Sequence, residues 1–188
     1  MPATVIPVKG LYLGFVGNIS NEGYSLRTAR QVKSTDTNSI AFGETLVLNS
    51  DNTYSSVKQF IATSGAAAFT ATVPIGIAAS NVNINPTYKV QGTNNVLTPS
   101  GSYLPASICD ALVQGTINVY CANGTPTAGG AVYVRKILNG AIPNGVVGGL
   151  EAVADGTNSI VYANLLWKTG FIETDGTAQV TILARQIA

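Results

Sequence analysis

Residues 106–138 read ASICDALVQGTINVYCANGTPTAGGAVYVRKIL. Two β-prone runs, Leu112–Cys121 and Ala131–Ile137, flank a turn cluster that begins at Asn123-Gly124-Thr125-Pro126 and ends at Gly129-Gly130. Strand side chains alternate with period two, so Ile117, Val119 and Cys121 share one face, while Thr116, Asn118 and Tyr120 share the other. In the second run Val132 and Val134 alternate with Tyr133 and Arg135. Val, Ile, Tyr and Thr suit a pleated, half-buried surface. Two such runs joined by a Gly/Pro/Asn loop predict a β-hairpin with a long connection. This hairpin is taken as the centre of an all-β domain.

Working outward, the same alternation recurs in short pieces. Ile40–Leu48 predicts a strand, and Gly43 inside it marks a bulge or a close backbone approach. Asn49–Tyr54 reads as a turn, and Val57–Ala62 as a strand extension. Phe69–Ala79 is a strand interrupted at Pro74, a residue that cannot donate to a ladder and so sits at an edge, a bulge or a strand start. Residues 80–105 are rich in Asn, Pro, Gly and Ser and read as a long excursion with one short strand near Tyr88–Gln91. After Ile137 a Gly-rich loop leads to a short strand ending at Asp155-Gly156. Ser159–Asn164 is β-prone. Phe171–Thr174 and Thr177–Arg185 flank Asp175-Gly176, a two-residue hairpin signal, with Val180, Ile182 and Ala184 on one face.

Upstream the pattern weakens. Residues 1–10 carry Pro2 and Pro7 and read as an extended arm. Leu11–Val16 is a candidate strand, and Ser25–Lys33 is compatible with one or two helical turns. Residues 1–35 hold Lys9, Arg27, Arg30 and Lys33 against Glu22 alone. The expectation is therefore an N-terminal arm or partner-contact segment over 1–35 and a β domain over 36–188. The fold class is mainly β: a single sandwich or barrel-like domain, a jelly roll being one arrangement allowed, with long loops. Turns every 8 to 12 residues and little amphipathic helix periodicity support it.

Composition narrows the function. Of 188 residues 10% are charged, against roughly 25% in ordinary soluble domains, and so sparse a charge resists association weakly. The net charge of +1 gives no case for nucleic acid or anionic membrane. No run approaches the ~18 apolar residues of a transmembrane helix. The start, MPATVIPVKG, lacks the pattern of a secretory leader, so a reducing compartment is expected. Cys109 and Cys121 are then free and buried. There is no histidine, which removes Ser-His-Asp and Cys-His catalysis and histidine metal sites. No cofactor or metal motif occurs. The carboxylate pairs Glu151/Asp155 and Glu173/Asp175 flank Gly turns, where turn formation is the commoner role for Asp.

The segments IGIAASNVN, ICDALVQGTINVYCANGTPTAGGAVYVR, AIPNGVVGGLEAVADGTNSIVYANLLWKTG and DGTAQVTILAR resemble the structural cement, or capsid decoration, proteins of tailed bacteriophages. The likeness spans about Ile75–Arg185, and IAFGETLVL looks like that family's early strand. The resemblance implies a non-enzymatic virion protein, made in the host bacterial cytoplasm. It would bind the outside of the icosahedral head and clamp major capsid protein subunits, as a dimer or trimer. Capsid or subunit contacts are expected from Leu11, Tyr12, Phe15 and Tyr24 as apolar anchors, with Arg27, Arg30 and Lys33 meeting carboxylates. Two other classes remain open. One is a carbohydrate-binding or adhesin-like β-sandwich that uses loop tyrosines. The other, weaker, is an enzyme built on Glu151, Asp155, Glu173 or Asp175.

Overall fold

The structure, a computed structural model, describes residues 13–71, 73–80 and 101–183, and of residues 21–24 the backbone alone. Among these the strands are β1 (Ile19–Gln31), β2 (Ile40–Ala41), β3 (Thr45–Leu48), β4 (Tyr54–Ser56), β5 (Pro74–Ala78), β6 (Ser102–Tyr103), β7 (Ile108–Asn123), β8 (Ala131–Arg135), β9 (Leu150–Glu151), β10 (Ser159–Trp167) and β11 (Thr177–Ile182). One helix, α1 (Val57–Ser64), follows β4. The protein is mainly β, with its sheet closed into a barrel-like domain.

β7 organises the fold. Its C-terminal half is one stave of a ring that runs β7-β11-β10-β8-β9 and returns to β7. Its N-terminal half is paired on both edges, since Leu112 faces Arg27 of β1 and Ile77 of β5. From β5 the sheet continues through β3 to β4, and a bridge from Tyr54 to Val32 returns it to the end of β1. Two barrel-like halves therefore share one long strand. Each has its own apolar centre. Ile117, Val119, Val134, Leu165, Trp167 and Val180 lie in the larger cluster. Val32, Ile40, Leu46, Tyr54, Tyr103 and Cys109 lie in the smaller one. Ile117, Val119 and Cys121 are buried as the alternation predicts; on the other face Tyr120 is exposed, but Thr116 and Asn118 are buried too, because the connection before β1 covers Asn118, whose Nδ2 donates to Leu13 O.

Several elements differ from expectation, each for a physical reason. β7 and β8 both exist, but they are not each other's hydrogen-bonded neighbours. β9 lies between them, parallel to β7 and antiparallel to β8. Burial of Arg135 on β8 requires a carboxylate beside it, and Glu151 of β9 supplies one. Ser25–Lys33 is strand, not helix, over its first seven residues, because ladder pairing with β7 overrides weak local periodicity. Val57–Ala62 is helical: Ser56 caps the first turn, its hydroxyl accepting from the Gln59 N–H at 3.2 Å. Leu13–Val16 is not a strand. Phe171–Thr174 is not a strand either; β11 pairs instead with β10 and β7.

Gly43 splits the predicted Ile40–Leu48 strand into β2 and β3. Its φ is +79°, and a Cβ there would collide with Val16 Cγ1. Pro74 starts β5, as a residue without an N–H should. Tyr88–Gln91 and Ala184 lie outside the described residues. Cys109 and Cys121 are buried and free. They lie twelve positions apart on one strand, roughly 40 Å at about 3.3 Å per residue, far beyond disulfide reach.

Candidate functional site

Of the expected contact residues, Leu11 and Tyr12 lie outside the described residues, and of Tyr24 only the backbone is described. Phe15 stands 82% exposed just before β1. It sits on a short connection pinned to β7, where Gly17 N–H donates to Asn118 O at 2.8 Å and Asn118 Nδ2 donates to Leu13 O at 2.5 Å. The basic residues do not form one patch pointed outward. Arg30 donates to the Asn52 side chain and lies over the Tyr54 ring, 5.9 Å from its centroid. Lys33 meets Asp51 of its own chain at 3.7 Å. That pair is exposed and adds little stability. Arg27 is exposed on β1, opposite Leu112.

Apolar side chains that sequence reasoning did not single out are exposed near this strand. Leu26 of β1 is 55% exposed, and Ile108, which faces Gln31 across the β1–β7 ladder, is also exposed. Leu104 is exposed in the turn before β7, which closes by Ser107 N–H to Leu104 O at 3.0 Å. Gln31 Nε2 ties that turn to β1 by donating to Ala106 O at 3.0 Å. The signal was available only as parity along β1, and the bulges between Ile19 and Arg27 scramble it.

A second exposed apolar group lies on the loop between β8 and β9, where Ile137, Leu138 and Val146 face solvent, with Val153 just beyond β9. A buried charge cluster holds this loop. Arg135 and Glu151 are both 0% exposed. Arg135 Nε and Nη2 donate to the two Glu151 oxygens at 2.5 and 3.0 Å, and Nη1 donates to Asp155 Oδ2 at 2.7 Å and to Ile137 O at 3.1 Å. Asn139 donates to both Asp155 oxygens, and its own Oδ1 accepts from Ala141 N–H at 3.0 Å. Gly145 lies against the guanidinium, where a Cβ would come within 2.5 Å of Arg135 Nε. Arg135, with help from Asn139, holds the Asp155 carboxyl below its usual range. The forked pairing satisfies a buried charge in the way guanidinium geometry favours. Glu151 and Asp155 are thus joined through one arginine and structure a loop. Glu173 and Asp175 instead close the turn before β11, where Asp175 accepts from Thr177 N–H at 2.9 Å.

Elsewhere burial pushes the Cys109 and Cys121 thiols up, against nucleophilic use. Among the described residues no group of three His, Cys, Asp or Glu is placed to hold a metal, and no helix is long and apolar enough to cross a membrane.

The fold has a counterpart among known proteins. The family model described as XM1 gp53 minor capsid protein matches residues 5–182. The chain belongs to that family. The XM1 gp53 minor capsid family is one of phage structural proteins, so this protein is a structural component of a phage capsid, the class that the resemblance over Ile75–Arg185 implied. The fold is also found in a solved structure, "The capsid of Myoviridae Phage XM1", with a TM-score of 0.59 at 13% identity over 98% of this chain and 99% of that chain. At that identity the likeness establishes shared architecture. No curated protein matches the chain.

Proposed function

We propose that this minor capsid protein is a cement protein, which binds the outer face of the icosahedral head and stabilises contacts between major capsid protein subunits. The observation that carries this reading is the apolar exposure around β1: Phe15, Leu26, Leu104 and Ile108 face solvent beside a strand already fixed to the core. Burying a Leu or Phe side chain is worth about 1.5–3 kcal/mol, and sparse surface charge lowers the desolvation cost of covering them. Several modest contacts joined on one rigid body gain by avidity. Residues ahead of β1, with Leu11, Tyr12 and Phe15 as anchors, form the partner-contact segment in this reading. Arg27, Arg30 and Lys33 set register and encounter rate rather than affinity. The subunits act as a dimer or trimer at a local symmetry axis of the virion surface.

The test is attachment to purified heads that lack the protein. Wild type should saturate them. Phe15→Ser with Leu26→Ser should keep the fold and lower occupancy, and removal of residues 1–12 should do the same. Attachment of both variants at wild-type affinity would overturn the assignment of this surface. Wild-type protein that never attaches would overturn the cement role.

A further inference from the structure

Residues 136–149 join β8 to β9 with no strand or helix of their own. A loop of that length in a compact domain is uncommon and usually functional. Leu138 is 66% exposed and Val146 56%, and Ile137 and Val153 face solvent as well. Val146 Cγ2 lies against Gly149, which in turn faces Ala122, and Val153 stands over Gly124. The two valines therefore flank the C-terminal end of β7, with Ile137 and Leu138 on the other arm of the loop.

The loop is held in one shape. Arg135 N–H donates to Gly149 O at 3.0 Å, and Gly148 N–H donates to Arg135 O at 2.8 Å. The guanidinium bonds Ile137 O on one arm and lies against Gly145 on the other. Two turns brace the span between, Ile142 N–H to Asn139 O at 2.9 Å and Gly145 N–H to Ile142 O at 3.0 Å. A buried ion pair is weak evidence for stability; here it fixes a loop whose outward side chains are apolar. An apolar patch that is ordered before its partner arrives loses less entropy on binding.

Charge selects the partner. From Ile137 to Leu150 no residue is charged. Glu151 is buried against Arg135, and Asp155 is paired with it. The β1 surface, by contrast, carries Arg27, Arg30 and Lys33. A patch that meets its own copy meets its own charges, and like charges set face to face are penalised. The neutral loop escapes that penalty and the basic β1 surface does not. β1 lies along the N-terminal half of β7 and the loop at its C-terminal end, so both surfaces can be covered at once.

We propose that the patch of Ile137, Leu138, Val146 and Val153 is where one copy of this chain meets the same patch on a second copy. This deepens the dimer or trimer of the proposed function and rests on that reading, with the β1 surface kept for the shell.

The test is sedimentation velocity on the full chain, without heads. Wild type should sediment as an assembly of two or three copies. Leu138→Ser with Val146→Ser should weaken association at least about a hundredfold, with thermal melts near wild type because both side chains are already exposed. Phe15→Ser with Leu26→Ser should assemble as wild type does. A charge swap at one exposed position reads the self-contact directly: Leu138→Lys alone and Leu138→Glu alone should each sediment as monomers, and their mixture should assemble. The inference is overturned if wild type stays monomeric, if the double serine variant assembles as wild type does, or if the mixed charge variants fail to associate. A serine variant that assembles normally but no longer attaches to heads would give the patch to the shell and overturn it too. Wild type that assembles through the loop yet never attaches to heads would sink the cement role alone.

Discussion

Substituting Glu151 by Leu removes the charge opposite Arg135 at a position with no solvent. Arg135 then keeps Asp155 and the Ile137 carbonyl, through Nη1 alone, while Nε and Nη2 lose their acceptors. Breaking a buried pair from one side costs about 3–5 kcal/mol. At about 2–4 °C per kcal/mol for a chain of this length, Tm should fall by roughly 6–20 °C. The pair Arg135→Met with Glu151→Leu replaces both charges by apolar groups of similar size and should cost clearly less than Glu151→Leu alone. Thermal melts and urea titrations of wild type, both single variants and the double measure this. The pH dependence gives a second reading. Because Arg135 lowers the Asp155 carboxyl in the folded state, its contribution is fully present above the unfolded value of 3.8 and is lost as pH falls below it. In Arg135→Met that acid-side loss should flatten. A Glu151→Leu cost under about 1 kcal/mol, or a double variant no better than the single, would mean that this pair is not a desolvated structural clamp.

Thiol titration of denatured, non-reduced protein should find two free thiols, whereas in the native protein Cys109 should resist alkylation, since it is buried and its thiol is pushed up. Gly43→Ala should lower Tm by roughly 2–12 °C, from about 1–3 kcal/mol of left-handed strain and its collision with Val16. Gly65→Ala, with φ +83° but open space around it, should cost less; equal losses in the two melts would mean that the close approach at Gly43 does not matter.

The strands that carry strong alternation were legible: β7, β8, β10 and β11 fall where Ile, Val, Tyr and Thr alternate, and Pro74 and Gly43 punctuate where their backbone chemistry requires. What the sequence hid was pairing. β9 is two residues long, and nothing in Leu150-Glu151 itself announces that it separates β7 from β8. The partner of Arg135 is decided in three dimensions, by burial. β1 was hidden for the opposite reason, since its residues carry little local preference and become a strand only against β7. The expected contact residues were chosen by type along the chain. Phe15 is exposed, and Arg30 and Lys33 have partners within the chain, Asn52 with Tyr54 and Asp51.

The proposed cement role has this capsid protein attach to the outside of the head through the surface around β1. Electron cryomicroscopy of the virion, with the chain fitted to density, locates that surface against the shell. Density for this fold is expected on the outer surface, bridging neighbouring major capsid subunits, with Phe15 and Leu26 at the contact. Density on the inner surface, or outer density with the β1 surface facing solvent, would contradict it.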